Sequence, residues 1–137
     1  MEKTYSRRRR DMAYQIKRWD NGKVIHEHGK TVKECLEHGI KNGVIFNHAS
    51  LNGASLNRAS LNGASLNHAS GIYFSKFDMH IAYATSAGIL IGCKWHSVNH
   101  WLKNYKEIGR NSEYSEIQIE MYGAWIKIVA ENLKRQL

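Results

Sequence analysis

The sequence predicts a mainly β protein with α-helical caps, built around a short square β-coil. Two observations carry this prediction. From Ala49 to Ser70 a five-residue unit, Ala-Ser-Leu-Asn-x, repeats almost without error, and sequences typical of helix capping boxes occur on both sides of it. A period of five fits neither the 3.6-residue period of a helix nor the two-residue period of a strand. It is typical of a chain that turns a corner at every fifth residue and stacks on itself.

The leucines of the repeat are the predicted core of the coil. They recur at the same position of each unit, so all four should point to one axis while the Ser and Asn side chains face outward: Leu51, Leu56, Leu61 and Leu66. Four units would close one square coil, and successive coils would lie about 4.8 Å apart, like neighbouring strands. We expect the regular coil over residues 44 to about 70, followed by an irregular continuation to Ile91.

A hairpin is predicted ahead of the repeats. Tyr14 to Trp19 and Lys23 to His26 flank Asp20-Asn21-Gly22. This turn sequence suits the positive φ angles of a type I′ turn.

Three helices are predicted around the coil. Thr31 and Glu34 form a capping box that opens a helix ending near Asn42, which would cover the first coil. The carboxy-terminal part supplies a helix over 97–108 and another from Ser115 to about Lys134, where Ser115 and Gln118 form a second capping box. Both ends of so short a coil need covering, because they expose leucines and unpaired ladder groups.

The predicted domain organisation is a flexible basic arm over residues 1–12 and one domain over 13–137. Within the domain, 13–43 would be the hairpin and helix cap, 44–91 the repeat coil and 92–137 the helical cap.

The repeat unit resembles that of the pentapeptide-repeat family, whose consensus is Ala-(Asp/Asn/Ser)-Leu-x-x. The segment Tyr14 to Asn42 and the segment Ile91-Gly-Cys-Lys-Trp-His-Ser-Val-Asn-His-Trp101 look like the flanking parts of small phage and prophage members. The resemblance implies a right-handed quadrilateral β-helix. It implies little about function, because members of the family bind different things.

Charge indicates an acidic partner. The chain of 137 residues has a net charge of +8, and Arg7, Arg8, Arg9 and Arg10 form one unbroken block that could contact phosphates or remain a solvated tail. Some pentapeptide-repeat proteins inhibit topoisomerases by resembling DNA in shape and negative charge. Since no carboxylate occurs from Ile45 to Lys76, DNA mimicry by the coil is disfavoured here.

Composition favours a cytoplasmic protein, in the host cytoplasm if a phage encodes it. No apolar run approaches the roughly 20 residues of a membrane span, and no secretory signal is recognisable at the start of the chain. The two cysteines, Cys35 and Cys93, do not make a disulfide framework and are interpreted as packing thiols.

Candidate binding residues occur on the repeat as well as in the arginine block. His48 and His68 are four repeats apart, so they should stack on one face of the coil one turn apart, with Arg58 on another face. Two imidazoles could share a metal ion, but zinc usually takes four ligands, so no metal site is predicted. The Cys93-Lys-Trp-His96 spacing, with His100 one turn later, is interpreted as fixing the junction between coil and helix.

The last helix carries apolar residues on two sides, which predicts a homodimer. One stripe would pack on the domain, and the other would bind a second subunit. The predicted interface residues are Ile119, Tyr122, Ile126 and Val129.

No phosphate-binding glycine loop, carboxylate pair or Ser/His/Asp arrangement is present, so the sequence predicts no catalysis and no cofactor. The predicted function is a phage-type binding protein that inhibits or modulates a host protein, or a protein–nucleic acid complex, in nucleic-acid metabolism or antiviral defence, for example as an anti-CRISPR. Direct nucleic-acid binding through the arginine arm is the alternative, and topoisomerase inhibition is a second one. One of the four tryptophans should lie exposed in an interface, but the sequence does not choose it.

Overall fold

The computed structural model describes residues 12–77 and 80–135, which form two compact units. The first unit comprises the described residues up to Leu51 together with Ala59–Ser70, and the second comprises Asn52–Arg58 and the described residues from Gly71 onward. The strands are β1 (Gln15–Lys17), β2 (Val24–Glu27), β3 (Tyr73–Lys76), β4 (Ile81–Thr85), β5 (Gly88–Ile91) and β6 (Lys94–His96). The helices are α1 (Val32–Lys41), α2 (Val98–Asn111) and α3 (Glu116–Arg135).

The predicted hairpin is present in the first unit, but its turn differs from the prediction. Strands β1 and β2 pair antiparallel, with an irregularity between Ile16 and Lys17. In the loop only Gly22 has a positive φ, of 73°, and its amide donates to the carbonyl of Arg18. A type I′ turn needs positive φ at both central residues. The type I′ prediction is therefore wrong, and the strands are joined by a longer loop in which Gly22 supplies the left-handed conformation.

Helix α1 begins and ends where the sequence predicts. The Thr31 hydroxyl accepts from the amide of Glu34 at 3.1 Å, and Asn42 caps the other end. The helix packs on the first repeats, since Leu36 and Phe46 are fully buried and a side chain at Gly39 would collide with the Phe46 ring. The Glu37 carboxylate accepts from the amide of Ser60.

The repeats turn at every fifth residue. Each Asn-x pair forms a turn, and the residue after Asn has a positive φ between 62° and 82° at five successive positions: His48, Gly53, Arg58, Gly63 and His68. A positive φ confined to the third residue of a turn is the pattern of a type II turn. The four repeat leucines are buried, as predicted, with exposures of 5% or less.

The chain pairs with itself four units later. The amide of Phe46 donates to the carbonyl of Ser65 and that of His48 to Asn67, both at 2.9 Å, and Ser50 forms a parallel bridge with Ser70. The partners lie 19, 19 and 20 residues further along, close to the 20 residues predicted for four repeats.

The second unit corrects the extent of the coil. Beyond Ser70 the five-residue spacing stops, and the chain forms a four-stranded antiparallel sheet in the order β3-β4-β5-β6 rather than an irregular coil to Ile91. The physical reason is that the Asn-x corner no longer recurs, while β5 is buried along its whole length and pairs on both sides.

Helices α2 and α3 pack on this sheet, and each was predicted to within a few residues. The second capping box is present: the amide of Gln118 donates to the Ser115 hydroxyl at 3.1 Å, and the amide of Ser115 to the Gln118 side chain at 2.9 Å. Trp101 is 1% exposed, and its indole N–H donates to the carbonyl of Ile89 at 2.8 Å. The core also contains Ala82, Ala84, Ile91, Tyr122, Ile126, Val129 and Leu133.

The predicted dimer interface is wrong. Ile119, Tyr122, Ile126 and Val129 are all buried within their own chain, with exposures of 3% or less. These residues lie on the face of α3 that packs on the core of the second unit, so they are not available to a second subunit.

Replacing Gly63 by Val tests the corner geometry. A β-carbon at Gly63 would meet no atom within 4 Å, so the cost comes from the φ of 82° alone. A left-handed conformation costs a residue with a β-carbon about 1–2 kcal/mol, most for a β-branched one and least for Asn. We expect the free energy of unfolding in urea to fall by about that amount in Gly63→Val and by less in Gly63→Asn. Equal stability of the two variants would contradict this corner.

Candidate binding surface

The most distinctive surface of the first unit lies at two stacked corners of the repeat. His48 and His68 occupy equivalent turn positions, with φ of 66° and 62°. Their rings stack with centroids 5.2 Å apart and planes 24° apart. The prediction that these two imidazoles stack on each other is confirmed.

Trp19, in the hairpin loop, covers the same corners. Its backbone amide donates to the carbonyl of His48 at 3.0 Å, and its indole N–H donates to the carbonyl of His68 at 2.6 Å. The Trp19 and His48 ring centroids lie 6.2 Å apart. We name Trp19, His48 and His68 the corner surface.

The backbone explains why the loop lies there. The amide of Ser50 donates to the carbonyl of Lys17 at 2.8 Å, and Arg18 forms an antiparallel bridge with Ala49. The hairpin therefore extends the ladder of the repeat, and the next residue, Trp19, is held against the corner by two hydrogen bonds. Although held in this way, the Trp19 side chain remains 53% exposed. A fixed, exposed indole is the type of residue that anchors protein interfaces.

An ion pair lies beside the indole. The Arg18 guanidinium donates two hydrogen bonds to the Asp20 carboxylate, at 2.8 and 2.6 Å. The hydrogen bonds from Arg18 lower the pKa of Asp20. Both groups therefore stay ionised at neutral pH and offer polar contacts next to an apolar ring.

The other predicted binding residues are Arg58 and the arginine block. Arg58 is exposed and belongs to the second unit. Arg7, Arg8, Arg9 and Arg10 lie outside the described residues.

The two cysteines differ, which corrects the prediction that both pack. Cys35 is fully buried and its thiol contacts the carbonyl of His26 at 3.4 Å, and burial raises its pKa. Cys93 is exposed. It lies in the turn between β5 and β6, so the Cys93-to-His96 segment is a hairpin and not a junction between coil and helix.

Histidines gather at a second place in the first unit, between β2 and α1. The His28 and His38 rings stack 3.6 Å apart, and a ring nitrogen of His26 lies 2.9 Å from one of His38. Among the described residues, no group of three or more His, Cys, Asp and Glu side chains is arranged to hold a metal ion.

Two histidines, His38 of this cluster and His96 of β6, predict a loss of stability in acid. Desolvation, together with His28, His26 and Lys41, lowers the pKa of His38, and desolvation with His100 and Lys94 lowers that of His96. Below about pH 6.5 the unfolded chain therefore binds more protons than the folded chain. The free energy of unfolding decreases as the pH is lowered through that range. We expect a smaller free energy of unfolding in urea at about pH 5.5 than at about pH 7.5. His38→Gln should reduce the difference; equal stability at both pH values would contradict the argument.

Trp19 is the candidate binding residue that sequence reasoning did not single out. The four tryptophans look alike in the sequence, yet Trp101 is buried, Trp95 and Trp125 are partly buried, and Trp19 is exposed. The signal that could have found it is position: Trp19 directly precedes the Asp-Asn-Gly turn, where a large apolar side chain has little of its own hairpin to pack on.

Five-residue units, a left-handed residue at each corner and pairing four units apart define a five-residue repeat protein. The family model for pentapeptide repeats (8 copies) matches residues 42–70, fewer residues than eight five-residue units would need. These residues are therefore a pentapeptide-repeat segment, and the predicted family is confirmed there. No match was found among curated proteins or solved structures. No helix in the described parts of the chain has the length and apolarity to cross a membrane.

Proposed function

We propose that this protein is a non-enzymatic binding protein that presents the corner surface to another protein. The observation that carries the proposal is Trp19, an exposed indole fixed by two hydrogen bonds to the repeat backbone. A side chain that is already ordered loses little conformational entropy on binding. The pentapeptide-repeat segment supports the general role, since a protein-interaction role fits this family.

We further propose that residues 44–70 form a right-handed quadrilateral β-helix of little more than one turn. The recurring positive φ and the hydrogen bonds four units apart support it. In such a coil His48 and His68 occupy one edge, and Trp19 lies across that edge. The repeat then acts as a rigid support that fixes the spacing of the surface groups.

The proposed target is a host protein, or a protein–nucleic acid complex, that acts on nucleic acid or in antiviral defence, with CRISPR interference as one example, met in the host cytoplasm. The support is chemical. A net charge of +8 favours acidic partners and disfavours mimicry of DNA. Arg18 and the two imidazoles could donate hydrogen bonds to carboxylates beside the indole contact.

Affinity capture with matched variants tests the corner surface. Wild type, Trp19→Ala and Ile45→Ala, immobilised through a carboxy-terminal tag, are exposed to the same bacterial lysate. Ile45 is 61% exposed and lies in the same unit, so its variant removes apolar surface elsewhere. We expect a set of proteins retained by wild type and Ile45→Ala and lost from Trp19→Ala. Retention of the same proteins by all three would overturn the proposal.

Direct nucleic-acid binding is the second candidate, favoured by the net charge and by the exposed indole, which could stack on a base. Replacing Arg7, Arg8, Arg9 and Arg10 by Ala should weaken binding and flatten its salt dependence, because fewer counterions are released. Fluorescence anisotropy with labelled single-stranded and double-stranded DNA, at about 50 and about 200 mM salt, measures both effects. Equal binding by the wild-type and quadruple-variant chains at both salt concentrations would show that the arginine block is not the contact.

A further inference from the structure

Helix α3 carries a second apolar stripe that faces outward. Ile117, Met121 and Ile128 are 71%, 48% and 62% exposed, and Ala124 between them is also exposed. Their spacing of four, three and four residues is the spacing with which one helix packs along another. Large apolar side chains in a continuous row on a surface indicate an interaction site.

The position of the stripe follows from the packing of the helix. The opposite side of α3 is occupied by the core of the second unit, including Tyr122, Ile126 and Val129. Ile117, Met121 and Ile128 therefore cannot turn inward without displacing this core. The row runs along a 20-residue helix, and a partner helix of the same length would cover all of it.

The charges beside the stripe indicate which helix fits. Glu120 and Lys127 are exposed and lie two turns apart on one side of the stripe. The Lys127 ammonium lies 5.4 Å from the centre of the Tyr105 ring of α2. A groove of about 420 Å³ between α2 and α3 is lined by both Glu120 and Lys127.

A second copy of α3 complements this pattern only when it runs antiparallel. In a parallel two-fold pair, Glu120 and Lys127 of the two copies lie on opposite sides of the interface and do not meet. In an antiparallel pair about a two-fold axis, Glu120 of each copy faces Lys127 of the other. The same axis places Ile117 opposite Ile128 and Met121 opposite Ala124, so the apolar layers and the charges agree on one register.

We propose that the outward stripe of α3 is the interface of an antiparallel, two-fold symmetric homodimer. The residues are Ile117, Met121, Ala124 and Ile128, bordered by Glu120 and Lys127. This is the opposite side of the helix from the four residues that the sequence suggested. The proposal does not depend on the function of the corner surface.

Charge exchange tests both the interface and its direction. Sedimentation velocity of the full chain, from about 1 to about 100 µM, should give twice the 15.8 kDa mass of one chain at the upper end. Glu120→Lys should weaken dimerisation about tenfold, since it places like charges opposite each other twice. The double variant Glu120→Lys/Lys127→Glu should restore it, because the pairs are exchanged.

Matched controls separate the interface from nonspecific effects. Glu107→Lys makes the same charge change at an exposed position of α2 and should leave dimerisation unchanged. Ile128→Asp should abolish dimerisation while the far-UV circular dichroism spectrum stays that of wild type, since Ile128 is exposed in the monomer. A wild-type monomer at every concentration, or a dimer that neither Glu120→Lys nor Ile128→Asp weakens, would overturn the proposal.

Discussion

Replacing Leu61 by Asp is expected to abolish the folded state of the repeat. Leu61 is 3% exposed, and an Asp there would bury an unpaired carboxylate. Burying one unpaired charge costs several kcal/mol, a large part of the about 5–15 kcal/mol that stabilises a domain. We expect Leu61→Asp to accumulate as insoluble protein, or to show no cooperative transition when melting is followed by circular dichroism.

The adjacent Asn62→Asp variant is the matched control. Asn62 is exposed, so the same charge one residue away should leave the melting temperature within a few degrees of wild type. The graded variant Leu61→Ala should lose about 2–5 kcal/mol. A soluble Leu61→Asp protein that melts cooperatively would show that the leucine register is wrong.

Replacing Trp101 by Ala is expected to have the other large effect, in the second unit. Removing a fully buried aromatic side chain costs about 3–5 kcal/mol, and the Ile89 carbonyl would also lose its indole donor. We expect loss of most or all of the free energy of unfolding measured in urea. The near-ultraviolet circular dichroism signal of the packed aromatic side chains should also be lost.

Two variants separate packing from hydrogen bonding at this position. Trp101→Phe keeps much of the ring but removes the donor to Ile89, so it should cost less than Trp101→Ala. Trp19→Ala removes the same side chain from an exposed position and should cost about 1 kcal/mol. If Trp101→Ala were no less stable than Trp19→Ala, the described core of the second unit would be incorrect.

Local signals predicted much of the fold because their causes are local. The capping boxes at Thr31 and Ser115 set helix starts through hydrogen bonds to the next turn. The five-residue period places the repeat leucines inside, because each corner depends on its own Asn-x turn.

The predictions that were wrong concern features that depend on packing between distant segments of the chain. The sequence after Ser70 is apolar enough for either a further coil or a sheet, and only the pairing of β4 with β5 decides between them. Helix α3 has two apolar stripes, and periodicity alone could not tell which one faces the core; contact with Trp101 and the sheet decides. The type I′ turn was wrong because hydrogen bonds from the loop to the repeat, rather than the Asp-Asn-Gly sequence alone, govern its shape.

The candidate surface could be predicted only in part, because only part of it depends on local sequence. The stacking of His48 and His68 follows from the repeat period, which is visible in the sequence. The contribution of Trp19 does not, since it depends on the hairpin docking against residues about 30 and 50 positions further along the chain. Exposed residues of this kind carry no periodic signal.

Site-specific photo-crosslinking tests the central claim most directly, that the corner surface is where the partner binds. A photoreactive amino acid is placed at exposed Asn67, next to His68, or at exposed Glu107 on α2, and the cells are irradiated while they express the chain. We predict discrete crosslinked species from position 67 that disappear when Trp19 is replaced by Ala and that are absent from position 107. Crosslinks from position 67 that persist without Trp19, or that occur equally from both positions, would contradict it.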